Sequence, residues 1–446
     1  MKSFFCLSFT SEKLLVLISI LNCVFSRKIP VERYFSRSYY EDERTQYVHK
    51  INTAIDKLEH EPTWVKDWPN VTITLGQVSG VAVDPTGLVL VFHRASNTWD
   101  GSTFTISNVY TGIGKKPISD PTILAFNETG ELVDMWGQNL FYMPHGITVD
   151  KDGNIWVTDV ALHQVFKFPR DQRNEPSITL GEKFVPGDDD HHFCKPTSVA
   201  VHSSGDFFVA DGYCNSRIIK YTADGTKVLQ WGRRPSGGDD SPFVLYVPHA
   251  LALAEEHDAL CVADRERGRV ACFRASNGSY AAGYSSWLLG PRVFSVAYAP
   301  VHGGRLYIVN GPAGDIPVRG YVVDFTSGRL VQTFAPGDAF HNPHDVAVSP
   351  GGGVYVAELD PHRVYRFLDQ GIRNETLNAE VPAKPTATVE VSGASMEPAW
   401  AWGGWGAWGG AAAGALAAAL LAGAAAAALR GARDRGKGLE REALVG

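Results

Sequence analysis

Short apolar runs separated by turn residues fill the chain from residue 70 to residue 370. The runs are rich in Val, Ile, Phe and Tyr, and Gly, Asp, Asn and Pro interrupt them. This composition is typical of strands joined by tight turns. Because no long apolar stripe with the 3.6-residue period of a helix appears there, we expect an all-β fold.

One unit recurs through this region, and the stretch YMPHGITVDKDGNIWVTDVALHQVFKF (142–168) shows it in full. Two strands joined by a turn are followed, in most units, by a third. The aligned units begin 45 to 66 residues apart, at Val78, Pro144, Pro196, Pro248, Val293 and Pro343. Repeats of about this length with three or four strands are β-propeller blades. We predict one six-bladed ring over residues 66–370, whose closure leaves no sheet edge exposed.

The second position of the repeat carries a histidine in every other unit. Unit by unit, this position holds Ser79, His145, Thr197, His249, Phe294 and His344. The first strand of a blade begins near the central channel, and alternate blades of a six-fold ring are about 120° apart. Three such histidines can converge on the axis as the ligands of a catalytic zinc ion. The alternative is a structural histidine at a strand-entry turn.

Three further residues carry chemistry in this pattern. Asp345 follows His344 and could hold a second, harder cation, support the zinc ligands, or lie in a solvated turn. Tyr213, beside Cys214, could act as a base if a cation lowers its pKa. Arg94 could bind a carboxylate. A core tyrosine and a surface arginine are the alternatives for the last two.

The N-terminal residues read as an export signal. Residues 1–26 contain the apolar run LLVLISILNCVFS, which has the length of a signal-peptide core, and small residues precede Arg27. A membrane anchor is the alternative, but the run is short for a span. Residues 27–65 form a lead-in to the propeller. We therefore expect the chain to enter the secretory pathway.

The C-terminal residues differ in composition from the repeat. Residues 371–409 are rich in Pro, Ser, Thr and Ala, as in a stalk or linker. Residues 410–429 are uncharged and Ala-rich, and 430–446 form a basic tail. This layout predicts a single membrane span with the propeller on the luminal or extracellular side. Because alanine is weakly apolar, a low-complexity tail is the alternative.

Cysteine content agrees with export. After removal of a signal peptide, four cysteines remain: Cys194, Cys214, Cys261 and Cys272. They predict two disulfides, although three pairings are open. Candidate glycosylation sites are the sequons at Asn70, Asn127, Asn277 and Asn374. A net charge of −7 over 446 residues gives no electrostatic reason to expect nucleic acid as a partner.

The repeat closely resembles a known enzyme family. The stretches QVSGVAVDPTGLVLVFHRASNTWDG, MPHGITVDKDGNIWVTDVALHQVFKF, FCKPTSVAVHSSGDFFVADGYCNSRIIKY, VPHALALAEEHDALCVADRERGRVACF and NPHDVAVSP are similar to peptidyl-α-hydroxyglycine α-amidating lyases. The resemblance covers about residues 65–370. It implies a six-bladed propeller with NHL-type repeats, and a stand-alone lyase whose substrates a separate copper monooxygenase supplies.

The resemblance also implies the roles of individual residues. It makes His145, His249 and His344 the Zn²⁺ ligands, and Tyr213 and Arg94 the catalytic residues. A structural Ca²⁺ would be held by Asp345 and the backbone carbonyls of Val81 and Ile147. The disulfides would be Cys194–Cys214 and Cys261–Cys272. The reaction would remove glyoxylate from a peptide ending in α-hydroxyglycine and leave a peptide amide.

Two other functions fit a propeller. A secreted binding scaffold is one, since fold does not fix function. It predicts no stoichiometric zinc and tolerance of changes at Tyr213 and Arg94. A metal-dependent esterase or lactonase is the other, but such sites depend on Asp, Asn and Glu around calcium, whereas this channel offers three histidines.

Overall fold

A computed structural model describes residues 37–337 and 339–380. Six four-stranded antiparallel sheets account for all 24 strands of these residues. Two helices flank them, α1 (Arg37–Ile55) and α2 (Gln370–Glu380). The all-β six-bladed propeller predicted from the repeat is confirmed. Neither helix is long and apolar enough to cross a membrane. The predicted signal peptide (1–26) and candidate span (410–429) lie outside the described residues.

Each blade runs outward from the channel strand to the rim strand. Blade 1 comprises β2 (Val78–Val83), β3 (Val89–His93), β4 (Ile123–Phe126) and β5 (Leu132–Trp136). Blade 2 comprises β6 (Pro144–Val149), β7 (Ile155–Asp159), β8 (Gln164–Phe168) and β9 (Ile178–Leu180). Blade 3 comprises β10 (Ser198–Val201), β11 (Phe207–Asp211), β12 (Arg217–Tyr221) and β13 (Lys227–Trp231).

The second half of the ring repeats this order. Blade 4 comprises β14 (Pro248–Ala254), β15 (Ala259–Asp264), β16 (Arg269–Arg274) and β17 (Tyr280–Ser285). Blade 5 comprises β18 (Val293–Ala299), β19 (Arg305–Asn310), β20 (Gly320–Asp324) and β21 (Leu330–Phe334). Blade 6 comprises β22 (Pro343–Val348), β23 (Gly353–Glu358) and β24 (Arg363–Leu368), with β1 (Thr63–Val65) at its rim.

Blade 6 is built from both ends of the propeller. The N-terminal strand β1 pairs with β24, with Thr63 opposite Leu368. Strand β1 (Thr63–Val65) lies at the end of residues 27–65, the segment predicted to lead into the propeller. The channel strands β2 and β22 also lie side by side, so the ring is continuous. Strand β1 thus covers the edge of β24, which would otherwise be exposed, and completes the four strands of the blade.

Burial varies regularly across each blade. All residues of the second strands β7, β11 and β15 are buried, because a neighbouring blade covers each face. These strands therefore read as continuous apolar runs. The rim strands β5 and β13 alternate between half-buried and exposed positions before a buried Trp. Helix α1 adds Ile51 and Ile55 to the core between blades 4 and 5.

Candidate metal centre and its surroundings

Three histidines from alternate blades meet in the channel. His145, His249 and His344 are at most 2 % exposed, and one ring nitrogen of each lies within 4.8 Å of the others. Each follows the first residue of its channel strand, β6, β14 or β22. The ladder skips this position in all three strands. A bulge of this kind redirects one side chain, which here turns toward the axis.

The blades between them supply the carbonyls that orient the rings. The Nδ1–H groups of His145, His249 and His344 donate to backbone carbonyl oxygens at 2.8, 2.7 and 2.6 Å, respectively. These carbonyls belong to Thr197, Phe294 and Ser79. Because a carbonyl oxygen can only accept, Nδ1 carries the proton and Nε2 has a free lone pair. The non-histidine repeat positions thus fix the tautomer of the histidine ones.

The triad has the properties of a transition-metal ligand set. Burial lowers the pKa of all three histidines, that of His344 to about 3. All three rings are therefore neutral, as metal ligation requires. Nε2 of His344 is buried and has no hydrogen-bond partner within the described part of the chain. Three neutral imidazoles whose ring nitrogens converge could hold a metal ion such as zinc, and their carbonyl partners match the usual support of such ligands.

Acidic residues at the ends of second strands hold the loops that lead into the histidine strands. They are fully buried, and in blades 2, 4 and 6 they are Asp159, Asp264 and Glu358. Each lies opposite the proline that precedes the histidine. Proline has no N–H for the ladder. The carboxylate instead accepts from N–H groups just upstream, as Asp159 does from Met143 at 2.9 Å.

Tyr213 lies directly against the triad. Its hydroxyl is 3.0 Å from Nε2 of His145 and 3.1 Å from Nε2 of His249. Burial raises the pKa of Tyr213, while the guanidinium groups of Arg265 and Arg94 act in the opposite direction. The hydroxyl lies beside two of the three Nε2 atoms. Burial favours the protonated phenol, and the two guanidinium groups partly offset this effect.

Arg94 is fully buried and lies near Tyr213 and Trp99. Its Nε donates to the carbonyl of Pro144 at 3.1 Å, and Nη1 donates to Oε1 of Gln77 at 2.7 Å. Its Nη2 has no partner among the described residues. Burial lowers the pKa of Arg94 to about 10, so the guanidinium is charged at neutral pH. One donor edge is thus available to an anion.

Sequence reasoning missed Arg265 and Trp99. Arg265 is buried, and its Nη1 lies 3.4 Å from the Tyr213 hydroxyl. It directly follows β15, as Arg94 follows β3, so a closer comparison of the repeats could have found it. Trp99 packs on Tyr213 with ring centres 4.7 Å apart. It lies in the long β3–β4 connection of blade 1.

The residues predicted for a calcium site line one cavity of about 200 Å³ within the ring: Val81, Ile147 and Asp345. The carboxylate of Asp345 accepts from the N–H of Val81 at 3.0 Å and from the hydroxyl of Ser295 at 2.7 Å. Burial raises the pKa of Asp345 to about 6. A buried carboxylate beside backbone groups suits a hard cation. Ser295 is a contact that the sequence did not indicate.

Both predicted disulfides are formed. Cys194 joins Cys214 and Cys261 joins Cys272. The first links the loops that carry Lys195 and Tyr213, and the second crosses from β15 to β16 in blade 4.

Three of the four sequon asparagines are exposed: Asn70, Asn277 and Asn374. The half-buried Asn127 donates its amide to Glu131. Glycosylation of these sites stays a prediction.

Comparisons with known proteins show the family of this chain. The NHL repeat family matches residues 141–168, 193–221 and 340–367. Peptidyl-alpha-hydroxyglycine alpha-amidating lyase 1 of Drosophila melanogaster is 44% identical over 371 residues, which cover 79% of this chain and 68% of that protein. The chain belongs to the peptidyl-alpha-hydroxyglycine alpha-amidating lyase family.

Other relatives of this chain differ in length. A probable lyase of Caenorhabditis elegans is 37% identical over 357 residues, or 78% of this chain and 96% of that protein. The peptidylglycine alpha-amidating monooxygenase of Rattus norvegicus is 44% identical over 307 residues, or 68% of this chain but 31% of that protein. The chain thus spans about a third of that longer relative.

Proposed function

We propose that this chain is a zinc-dependent carbon–nitrogen lyase, a peptidylamidoglycolate lyase. It cleaves the N–Cα bond of a C-terminal α-hydroxyglycine and releases a peptide amide and glyoxylate. The observation that carries the proposal is the hydroxyl of Tyr213, which lies 3.0 and 3.1 Å from two Nε2 atoms of a neutral three-histidine cluster.

The three histidines and Tyr213 have different roles in the proposed reaction. His145, His249 and His344 would hold the zinc ion, which when bound acts as a Lewis acid toward the substrate hydroxyl. Tyr213, as phenolate, accepts the hydroxyl proton. The carbon–oxygen double bond of glyoxylate forms as the N–Cα bond breaks, and the electron pair leaves with the amide nitrogen. Tyr213 then returns its proton to that nitrogen.

Arg94 orients the substrate in this scheme. Its unpartnered Nη2 can donate to the substrate carboxylate or to developing negative charge on oxygen. Burial at the end of strand β3, with hydrogen bonds to Pro144 and Gln77, keeps the group in place before substrate arrives, so less ordering is needed during the reaction.

A second cation would have a structural role. Asp345, with the backbone carbonyls of Val81 and Ile147, would hold Ca²⁺ and tie the channel strands β2, β6 and β22 together. The buried carboxylate in the channel cavity supports this part of the proposal.

The biological setting follows from the same chemistry. We propose a secreted or single-pass protein with its propeller luminal or extracellular, where disulfides persist. Its substrates would come from a separate copper monooxygenase. Expression of the full chain in a secretory cell line, followed by protease protection and glycosidase treatment, tests the location. A protease-sensitive, unglycosylated propeller in sealed microsomes would contradict it.

Turnover tests the proposed reaction. Purified, zinc-loaded protein is incubated with a peptide ending in α-hydroxyglycine, and glyoxylate and peptide amide are measured. Equal release of both products is expected. No release would refute the proposal and would favour a binding scaffold.

His249→Ala tests the metal ligands. Loss of an orienting partner alone costs about 10–100-fold in metal affinity or activity, so loss of a ligand is expected to cost more. Zinc content measured by mass spectrometry should fall together with kcat/KM. His257→Ala is the control, because His257 lies in the same blade but stacks on Phe325, with ring centres 4.6 Å apart. Unchanged zinc in His249→Ala would contradict the assignment.

A further inference from the structure

Lys195 is a buried lysine beside the candidate active site. Its side chain is 1% exposed, and its backbone has a φ of 58°, in the left-handed region. The backbone N–H donates to Nδ1 of His163 at 3.0 Å, which fixes the loop. Its ammonium lies 4.5 Å from the ring centre of Phe104 and 5.9 Å from those of Trp99 and Tyr213.

This ammonium has no counter-ion within the described part of the chain. None of the described hydrogen bonds or ion pairs involves its Nζ, and burial lowers the pKa of Lys195 to about 8. Aromatic faces attract a cation but do not neutralise it. A buried charge is costly unless it is paired. Such a group beside a reaction centre indicates that the missing anion comes with a ligand.

The proposed substrate carries a suitable anion. In α-hydroxyglycine, the carboxylate and the hydroxyl are attached to the same carbon atom. If the substrate hydroxyl binds at the Nε2 atoms of the three histidines, next to the Tyr213 phenol, the substrate carboxylate also lies near that phenol. Lys195 and Arg94 both lie there, since the Arg94 guanidinium carbon is 5.2 Å from the Trp99 ring centre. Both cations thus flank the same indole.

We propose that the ammonium of Lys195 binds the carboxylate of the α-hydroxyglycine substrate, and of the glyoxylate product. This inference rests on the proposed function. In this assignment, the rings of Trp99, Phe104 and Tyr213 shield the ammonium from water until the carboxylate binds. It also gives a reason for selectivity, because a carbinolamide without a carboxylate would leave Lys195 unpaired.

The first test compares Lys195→Met with wild type. Methionine keeps most of the volume of the side chain but removes the charge. A hydrogen bond to a charged group contributes enough for about a ten- to hundredfold loss of affinity. KM for the hydroxyglycine peptide and the inhibition constant of glyoxylate should both rise by this factor. Lys195→Arg should recover part of the loss.

The control is Lys167→Met. Lys167 also lies on an aromatic ring, 5.1 Å from the centre of Trp156, but on the outer strand β8 of blade 2. Its replacement should leave both constants within about twofold of wild type, because a solvent-accessible lysine–aromatic contact contributes little.

Two further readouts separate substrate binding from a structural role. Glyoxylate alone is titrated into wild type and Lys195→Met by calorimetry, and the thermal midpoint of each is measured. We expect Lys195→Met to bind glyoxylate more weakly than wild type and to unfold at the same temperature. A lower midpoint with unchanged glyoxylate affinity would overturn the inference. If Lys195→Met does not fold, the same measurements are made on Lys195→Gln.

The substrate series completes the test. An N-hydroxymethyl peptide amide has the scissile N–C bond and hydroxyl but no carboxylate. The ratio of kcat/KM for the hydroxyglycine peptide to that for this analogue should fall at least about tenfold in Lys195→Met. An unchanged ratio in an active wild type would refute the role of Lys195, whereas an inactive wild type would refute the proposed function instead.

Discussion

The two disulfides allow a matched test of how Tyr213 is held. Cys194–Cys214 joins the residue before Lys195 to the residue after Tyr213, with Cα atoms 5.4 Å apart. Cys261–Cys272 joins directly paired residues of β15 and β16, with Cα atoms 4.0 Å apart. We compare the double variant Cys194→Ala/Cys214→Ala with Cys261→Ala/Cys272→Ala.

The expected stability losses are similar. The sequence separations are 20 and 11 residues. In the chain-entropy description, closure of loops of these lengths stabilises the folded state by about 3 kcal/mol in each case. Cys261 and Cys272 are also fully buried, so their truncation leaves unfilled volume. The blade 4 variant should therefore lose at least as much free energy of unfolding.

The expected activity losses differ. Only the first disulfide constrains the loops on either side of the Tyr213 phenol, and a displacement of about 1 Å can cost about a hundredfold in rate. We expect that loss in kcat/KM for Cys194→Ala/Cys214→Ala and less than about a threefold change for the other variant. Urea unfolding gives the stabilities, and turnover is measured at a temperature at which both variants are folded. Parallel losses of activity would refute the reasoning.

Two other predictions concern single groups. Tyr213→Phe keeps the ring that packs on Trp99 but removes the hydroxyl. We expect the zinc content to stay unchanged and kcat to fall by about 10²–10⁴-fold. A loss of kcat below about tenfold would exclude Tyr213 as the base. Removal of calcium with a chelator should lower the thermal midpoint, and added Ca²⁺ should restore it, because a ligand that binds only the folded state stabilises it. Asp345→Asn should abolish this response, and a response equal to that of wild type would show that Asp345 is not a ligand.

The fold was predictable because its signal is repeated six times. Five of the six predicted unit starts are also the first residues of observed channel strands: Val78, Pro144, Pro248, Val293 and Pro343. The same repetition identified the three histidines, since the position relative to the proline is constant. Helix α1 was not predicted, because its sequence has no clear apolar stripe; among its residues 43–55, Ile51 and Ile55 are the buried ones.

The rest of the site depends on contacts that have no counterpart in a sequence pattern. Trp99 reaches Tyr213 from an insertion that is present in one blade, so no repeat alignment constrains it. Lys195 looks like an ordinary surface lysine in sequence, and only the folded loop reveals its burial. The carbonyls that orient the histidines belong to the backbone, and any residue type could supply them.

The pairing of each histidine with the next blade restricts how this ring can evolve. His145, His249 and His344 depend on blades 3, 5 and 1, respectively, so the functional unit is a pair of blades. Each repeat of such a protein contacts its neighbours, so the gain or loss of one repeat changes which repeats lie side by side. Here such a step would place two identical partners side by side and break the alternation. Only an even number of blades preserves this alternation, and only three pairs of blades give three histidines, so the three-histidine cluster is compatible only with a ring of six blades.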